Sequence, residues 1–357
     1  TLIVKNQIDY GKNRPVGFDR SQLIQIPTSS QDFLGKYDLM RNQFLGTDAV
    51  TKMGWGTNPV TSIWNYSSGY DWEGKPADFQ ESFGQMGVSF DYIDAVGMKI
   101  IEGRTFSRDF ATDSNAVILN KAAVEYMGIQ NPIGKYMRVS AANPNNLPKQ
   151  IVGVVEDVIN ESAYEPVSPQ IYELGHGTGG FYYLKLNPEK STSKNLAAIE
   201  KIFKTNFPNL PFRYDFVDEA YAQTFAAEER MASLAGIFTI LAIVISCLGL
   251  FGLAAFVAEQ RTKEIGIRKI LGASVTNLWV MLSKDFVVLI LLAFLIATPL
   301  AYYFMSVWIL KFSYRTEISA QIFLIAGFGV LLLTMITVSF QAIKAAVANP
   351  VKSLRTE

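Results

Sequence analysis

The sequence is almost without cysteine and histidine: Cys247 and His176 are the only ones in 357 residues. A single thiol excludes an intrachain disulfide, a CxxC redox pair and any multi-cysteine zinc site. A single imidazole excludes HExxH. Cys247 sits inside an apolar run and reads as a small buried hydrophobe. His176 lies in the Gly-rich stretch GHGTGG and reads as an ordinary loop residue rather than a ligand or base. Net charge is lacking too, with 32 Lys+Arg against 32 Asp+Glu. The basic surplus of a nucleic-acid binder is therefore absent. Gly-Lys pairs occur at Gly11, Gly35, Gly74 and Gly134, but none is followed by Ser or Thr, so none completes a P-loop. There is no GxSxG, and Asp and Glu are scattered without metal-type spacing. No nucleophile, base and acid come together as a set, which argues against an enzyme and against a bound cofactor or metal.

What the chain has in abundance is long uncharged stretches. Met231–Ala258, Phe286–Leu310 and Ile318–Ile343 contain no Asp, Glu, Lys or Arg. A membrane helix needs about 20 mostly apolar residues, and soluble core helices rarely stay apolar on all faces for this long. Three transmembrane helices are expected, over about 231–258, 286–310 and 318–343. Gly249, Gly252, Gly327 and Gly329 would let such helices pack closely, Pro299 can serve as a kink, and Tyr302, Tyr303 and Trp308 suit an interfacial belt. Arg261, Lys263, Arg268, Lys269 and Lys284 follow the first span, and Lys344, Lys352 and Arg355 follow the third, against only Lys311 and Arg315 between the second and third. Positive-inside logic puts the first loop and the C-terminus in the cytoplasm, and everything before Arg230 outside.

Thirteen of the sixteen tyrosines precede Arg230, and the region from about Gly11 onward reads as a globular α+β domain. Strands are expected at Ser21–Pro27, Lys149–Val158, Phe181–Asn187 and Phe212–Asp218, and helices at Gln31–Leu45 and Ser193–Phe207. Ala116–Gly128 reads as a strand followed by a helix that ends on Gly. Helices packed on one face of the sheet are expected. The aromatic stretch Gly54–Gly74, with Trp55, Trp64, Trp72, Tyr66 and Tyr70, reads as a hairpin whose aromatics fill a small core, or else as a partner-binding loop. The opening TLIV is the start of this domain or the end of a longer membrane helix.

Between the first two apolar runs, Glu259–Lys269 gathers four cations and two acids. Ile267, Leu271, Val275, Leu278 and Leu282 fall at helical spacing as one apolar stripe, and Arg261, Glu264 and Arg268 lie on another face. Glu264 and Arg268 stand four apart in the favourable order. In Leu271–Ser274, Gly ends one helix and Ser caps the next. The segment reads as a two-piece elbow, apolar beneath and charged above. On spacing alone it is either a topogenic signal or a docking surface.

Family resemblance enters at these residues. EQRTKEIGIRKILGAS resembles the segment after the second membrane helix of FtsX/MacB-type ABC transporter permeases, and the ending ANPVKSLRTE resembles the family's end. FDYIDAVGMKIIEGRTFS (Phe90–Ser107) and NAVILNKAAVEYMGIQNPIGKYM (Asn115–Met137) resemble its periplasmic core domain. The resemblance implies residues 11–225 as that core domain, a porter-like subdomain with a second subdomain inserted near Gln85–Leu174. It implies residues 226–357 as an FtsX-like domain with a bundle of three transmembrane helices, and residues 1–10 as the tail of a truncated first one. The chain is then expected to be the C-terminal half of a tandem-repeat member. The elbow residues Glu259, Arg261, Lys263, Glu264, Ile265, Gly266, Arg268, Lys269 and Gly272 would couple to a cytoplasmic ABC ATPase, which binds the ATP. Further expected partners are the other permease half or a second copy, and a periplasmic adaptor or cargo protein. The expected location is the cytoplasmic (inner) membrane, with the large domain outside and the C-terminus in the cytoplasm. The function implied is export of a peptide, lipoprotein or antimicrobial cargo, driven by the partner. The alternative is a transmembrane signalling lever that regulates a cell-wall hydrolase or sensor.

Overall fold

The structure, a computed structural model, describes residues 1–139, 147–160, 166–175 and 179–347. The chain divides into two units, Lys12–Phe225 and Thr1–Gly11 with Ala226–Glu357. The chain opens with helix α1 (Leu2–Asn13). His176 and the terminal ANPVKSLRTE, with Lys352 and Arg355, lie outside the described residues.

The first unit is built on one mixed sheet. Its strands are β1 (Leu23–Pro27), β2 (Val50–Gly56), β3 (Tyr66–Ser67), β4 (Tyr70–Trp72), β5 (Phe83–Val88), β6 (Ile100–Gly103), β7 (Ala116–Asn120), β8 (Tyr136–Val139), β9 (Lys149–Val155), β10 (Gln170–Leu174), β11 (Phe181–Leu186) and β12 (Asp215–Phe216). Its helices are α2 (Tyr37–Leu45), α3 (Tyr92–Ala95), α4 (Lys121–Met127), α5 (Thr192–Asn206) and α6 (Val217–Gln223). Strand order is β12-β1-β11-β2-β5-β10-β7-β9-β8-β4, with β3 on β5 and β6 on β9.

Two cores form on this sheet. In the first, Ile24 and Ile26 of β1, Met53 and Trp55 of β2, and Tyr182 and Leu184 of β11 pack against Phe44 of α2 and Ile199 and Phe203 of α5. In the second, Tyr70, Trp72, Phe83, Val117, Leu119, Ile151 and Ile171 pack against Ala123 and Met127 of α4. The two halves of the sheet meet between β2 and β5 at the single pair Gly56↔Val88. In sequence, the second core lies between β2 and β11, as an inserted subdomain would. It begins before Gln85, because β4 pairs with β8 (Tyr70↔Val139) and carries Tyr70 and Trp72 into that core.

Helices cover both faces, not one. Successive strand residues point to opposite sides, so Tyr183 and Gly54 face away from the first core, and there they meet α3. The Tyr183 and Tyr92 rings lie 5.3 Å apart, and a Cβ on Gly54 would come within 2.7 Å of the Tyr92 Cα. Three further expectations change. The helix over 31–45 starts only at Tyr37, because Gly35 turns the chain at φ +69° after a one-turn 3-10 segment, Gln31–Phe33. The strand expected at 212–218 shrinks to Asp215–Phe216, since Val217 already opens α6. The aromatic stretch is not a hairpin with its own core: Trp55 joins the first core, Tyr70 and Trp72 join the second, and Trp64 and Tyr66 are exposed.

The second unit holds α7 (Ala226–Gln260), α8 (Thr262–Ile270), α9 (Val275–Ile309) and α10 (Ala320–Val347). Of these, α7, α9 and α10 are long and apolar enough to cross a membrane. The 35 residues of α9 rise about 52 Å at 1.5 Å each and exceed a hydrocarbon core of about 30 Å. Its first turns therefore belong to the elbow. Helix α10 packs on both α7 and α9, with Val338 buried against Ala254 and Phe286. Of the four glycines expected to serve close packing, Gly327 does so: a Cβ there would come within 2.6 Å of the Phe294 ring. Gly249, Gly252 and Gly329 have nothing within 4 Å of that position. Within the same unit, Gln7 of α1 donates to the Tyr314 carbonyl at 2.7 Å and accepts from Thr316 N–H at 2.9 Å.

Candidate functional site

The densest cluster of exposed charge beside the apolar helices is the elbow between α7 and α9. Only Arg261 separates the end of α7 from the start of α8, and Gly272, at φ +89°, closes α8. Few L residues adopt that φ without strain. Ser274 then caps α9, its hydroxyl accepting from Asn277 N–H at 3.2 Å. The two pieces, the glycine stop and the serine cap stand where the sequence places them.

The faces are not as expected. The stripe Ile267–Leu271–Val275–Leu278–Leu282 assumes one continuous helical phase, and the turn at Gly272 resets it. Leu278 and Leu282 are buried, together with Ile265 of α8 and Ala342 of α10. Ile267, Leu271 and Val275 are 52%, 80% and 42% exposed. So the inward residue of α8 is Ile265, not Ile267. On α9 the buried positions Leu278, Leu282 and Phe286 recur every four residues, as one helical face should.

Of the nine elbow residues singled out by resemblance, Ile265 and Gly266 are buried and support the elbow from inside. Glu259, Lys263, Glu264, Arg268 and Gly272 are exposed, while Arg261 and Lys269 are half-buried. Glu264 and Arg268 pair at 2.7 Å. Arg268 also donates to the Met281 sulfur at 2.9 Å, which ties α8 to α9. Arg261 pairs instead with Asp285, at 2.9 Å. Trp279 Nε1–H donates to the Ser339 hydroxyl at 2.7 Å, which fixes α9 to α10. Sequence reasoning missed Asp285, Trp279 and Met281 as braces; only their position in the first turns of a helix longer than the bilayer hinted at it. Among the described residues no group of three or more His, Cys, Asp or Glu could hold a metal ion.

The chain can be set beside known proteins. The family model for the MacB-like periplasmic core domain matches residues 19–202, and that for the FtsX-like permease C-terminal region matches residues 236–350. The ABC transporter permease YknZ of Bacillus subtilis (strain 168) is 25% identical over 285 residues, 76% of this chain and 69% of that protein. The macrolide export ATP-binding/permease protein MacB of Aggregatibacter actinomycetemcomitans is 26% identical over 202 residues, 54% of this chain but only 31% of that protein. Among solved structures, the periplasmic region of MacB from Actinobacillus actinomycetemcomitans aligns over 57% of this chain and 92% of that one, at 17% identity and a TM-score of 0.42. The extracellular domain of the YknZ transporter from Gram-positive bacteria aligns over 54% and 97%, at 14% identity and a TM-score of 0.37. The periplasmic-core match alone spans more than half of the residues, and the permease match falls on the apolar helices and their elbow, so the chain belongs to the FtsX/MacB-type family of ABC transporter permeases.

Proposed function

We propose that this permease couples ATP hydrolysis by a partner cytoplasmic ATPase to movement of its outer unit, and that the movement drives export of a peptide, lipoprotein or antimicrobial cargo. The elbow carries this reading. A coupling surface must move as one body with the helices it drives. Here Ile265 is locked against Leu278, Leu282 and Ala342, while Lys263, Glu264 and Arg268 stay exposed. A push on that charged face passes into α9 and α10 instead of being absorbed in the turn. ATP is bound by the partner, and this chain supplies the lever. The elbow and C-terminus face the cytoplasm, the outer unit lies beyond the cytoplasmic membrane, and a second permease half or copy completes the assembly.

The test is a charge swap. Glu264→Arg with Arg268→Glu keeps the net charge and so the positive-inside signal. It reverses an exposed helical pair that contributes only about 0.2–0.5 kcal/mol, too little to unseat a helix held by Ile265. The expected result is normal membrane insertion with loss of ATPase binding and of stimulated ATP hydrolysis. A swapped protein that inserts, binds its ATPase and works like the original would leave the cluster a topogenic signal only.

A further inference from the structure

Away from the elbow, the first unit holds a half-enclosed pocket of about 230 Å³ beside its first core. Trp55, donating from its indole N–H to the Gly179 carbonyl at 2.6 Å, forms the floor together with Gly35 and Gly175. A Cβ on Gly175 would lie 2.6 Å from the Trp55 ring, so the floor is packed tight. Phe90 forms one wall, with the Arg108 guanidinium 4.9 Å above its ring.

The charges around this pocket are unevenly paired. Asp91 accepts from Arg41 at 2.9 and 3.1 Å and from Arg108 at 2.9 and 2.7 Å. One carboxylate thus holds two bidentate guanidiniums, and its lone pairs are used up. Burial pushes the Asp91 carboxyl up, and the bonds from Arg108 and Arg41 more than reverse this, leaving it below the ordinary carboxylate range. A half-buried cation, Arg41, and an exposed one, Arg108, therefore share one anion. Among the described residues the only other carboxylate within salt-bridge reach is Asp38, 3.7 Å from Arg108 and 80% exposed. A contact that long from a side chain that exposed is weak.

We propose that this pocket binds an amino-acid-sized apolar carboxylate: the ligand's carboxylate displaces Asp38 from Arg108, and its apolar body lies against the half-buried Phe90, above the floor that Trp55 and Gly175 close. The volume is below the roughly 300 Å³ at which drug-sized sites begin, which limits the ligand to a single residue or the last residue of a peptide.

The test uses the full chain purified in detergent, with three probes titrated by calorimetry: N-acetyl-phenylalanine, its amide, and a hexapeptide ending in Phe with a free carboxylate. The acid is expected to bind at least tenfold more tightly than the amide. Binding of the hexapeptide as well assigns the pocket to peptide ends; binding of the small acid alone assigns it to free acids, and either supports the proposal. Arg108→Gln should weaken binding of the acid at least tenfold. Because that change also disturbs Asp91, a second variant works in the opposite direction. Asp38→Asn removes the competing charge from an exposed position, and the acid should then bind about threefold tighter. Equal binding of acid and amide, no binding of either acid, or weaker binding to Asp38→Asn would overturn the proposal.

Discussion

Asn120 shows how much one side chain can carry. Its Oδ1 accepts from Ala123 N–H at 2.9 Å, capping α4, and from Gln170 N–H at 2.8 Å, while its Nδ2 donates to the Ser168 carbonyl at 2.9 Å. Asn120→Ala removes a cap and leaves buried backbone groups unpaired, so a loss of about 2–3 kcal/mol is expected. It should show as a lower thermal midpoint of the outer unit by tryptophan fluorescence. The sequence shows Asn before a helix and so exposes the cap, but the bond to Gln170 joins residues fifty apart and needs the fold. Asp113 supports a pH prediction. Burial pushes its carboxyl up, while Arg104, at 2.6 and 2.7 Å, and Ser107 N–H pull it further down, to below the ordinary range. A depressed folded-state pKa contributes stability that is present above the unfolded value of about 3.9 and is lost as pH falls through the folded one. The midpoint should therefore stay level with respect to this group above about pH 4 and fall in more acid solution. Asp113→Asn should flatten that acid slope; an unchanged slope would mean that other carboxylates dominate it.

Elements were legible where local chemistry decides them. The strand–helix run at 116–128 ends on Gly128 in the left-handed region, at φ +65°, because the Gly after the helix takes a conformation that L residues avoid. Elements decided by packing were not legible. The apolar spacing over 31–45 looks like one helix, yet it holds a 3-10 turn, a positive-φ glycine and only then α2. The placement of α3 on the second face follows from Gly54, whose lack of a side chain the sequence shows without its reason. Gly54→Ala should overpack that contact and cost about 1–3 kcal/mol. Denaturant unfolding of the outer unit followed by near-UV circular dichroism would measure it, and an unshifted transition would mean that α3 can lift away freely. In the elbow, the glycine stop and serine cap were readable from the residues, but the phase of the apolar stripe was not, because a positive-φ turn breaks the periodicity on which the count depends.

For the whole molecule the prediction is topological. The cations after the first and third spans outnumber those between the second and third, so a cysteine at exposed Ser191 should react with an impermeant thiol reagent added outside. One at Ser353 should not, with native Cys247 replaced in both. Labelling of Ser353→Cys alone in intact spheroplasts would reverse the orientation. The purified chain without a partner should also show no Mg-ATPase activity, since none of its Gly-Lys pairs continues to Ser or Thr; measurable hydrolysis would overturn the division of labour proposed for it.

The sequence by itself determined that three helices can span a bilayer, that a charged elbow separates the first two, and that an α+β domain precedes them. These follow from composition and local backbone preference, which need no distant partner. Only the tertiary structure decided that Ile265 and not Ile267 anchors the elbow, that Trp55 and Trp72 belong to different cores, and that Arg41 and Arg108 share Asp91. Each of those depends on which residues far apart in the chain come to lie within a few ångströms, and neither spacing nor residue type records that.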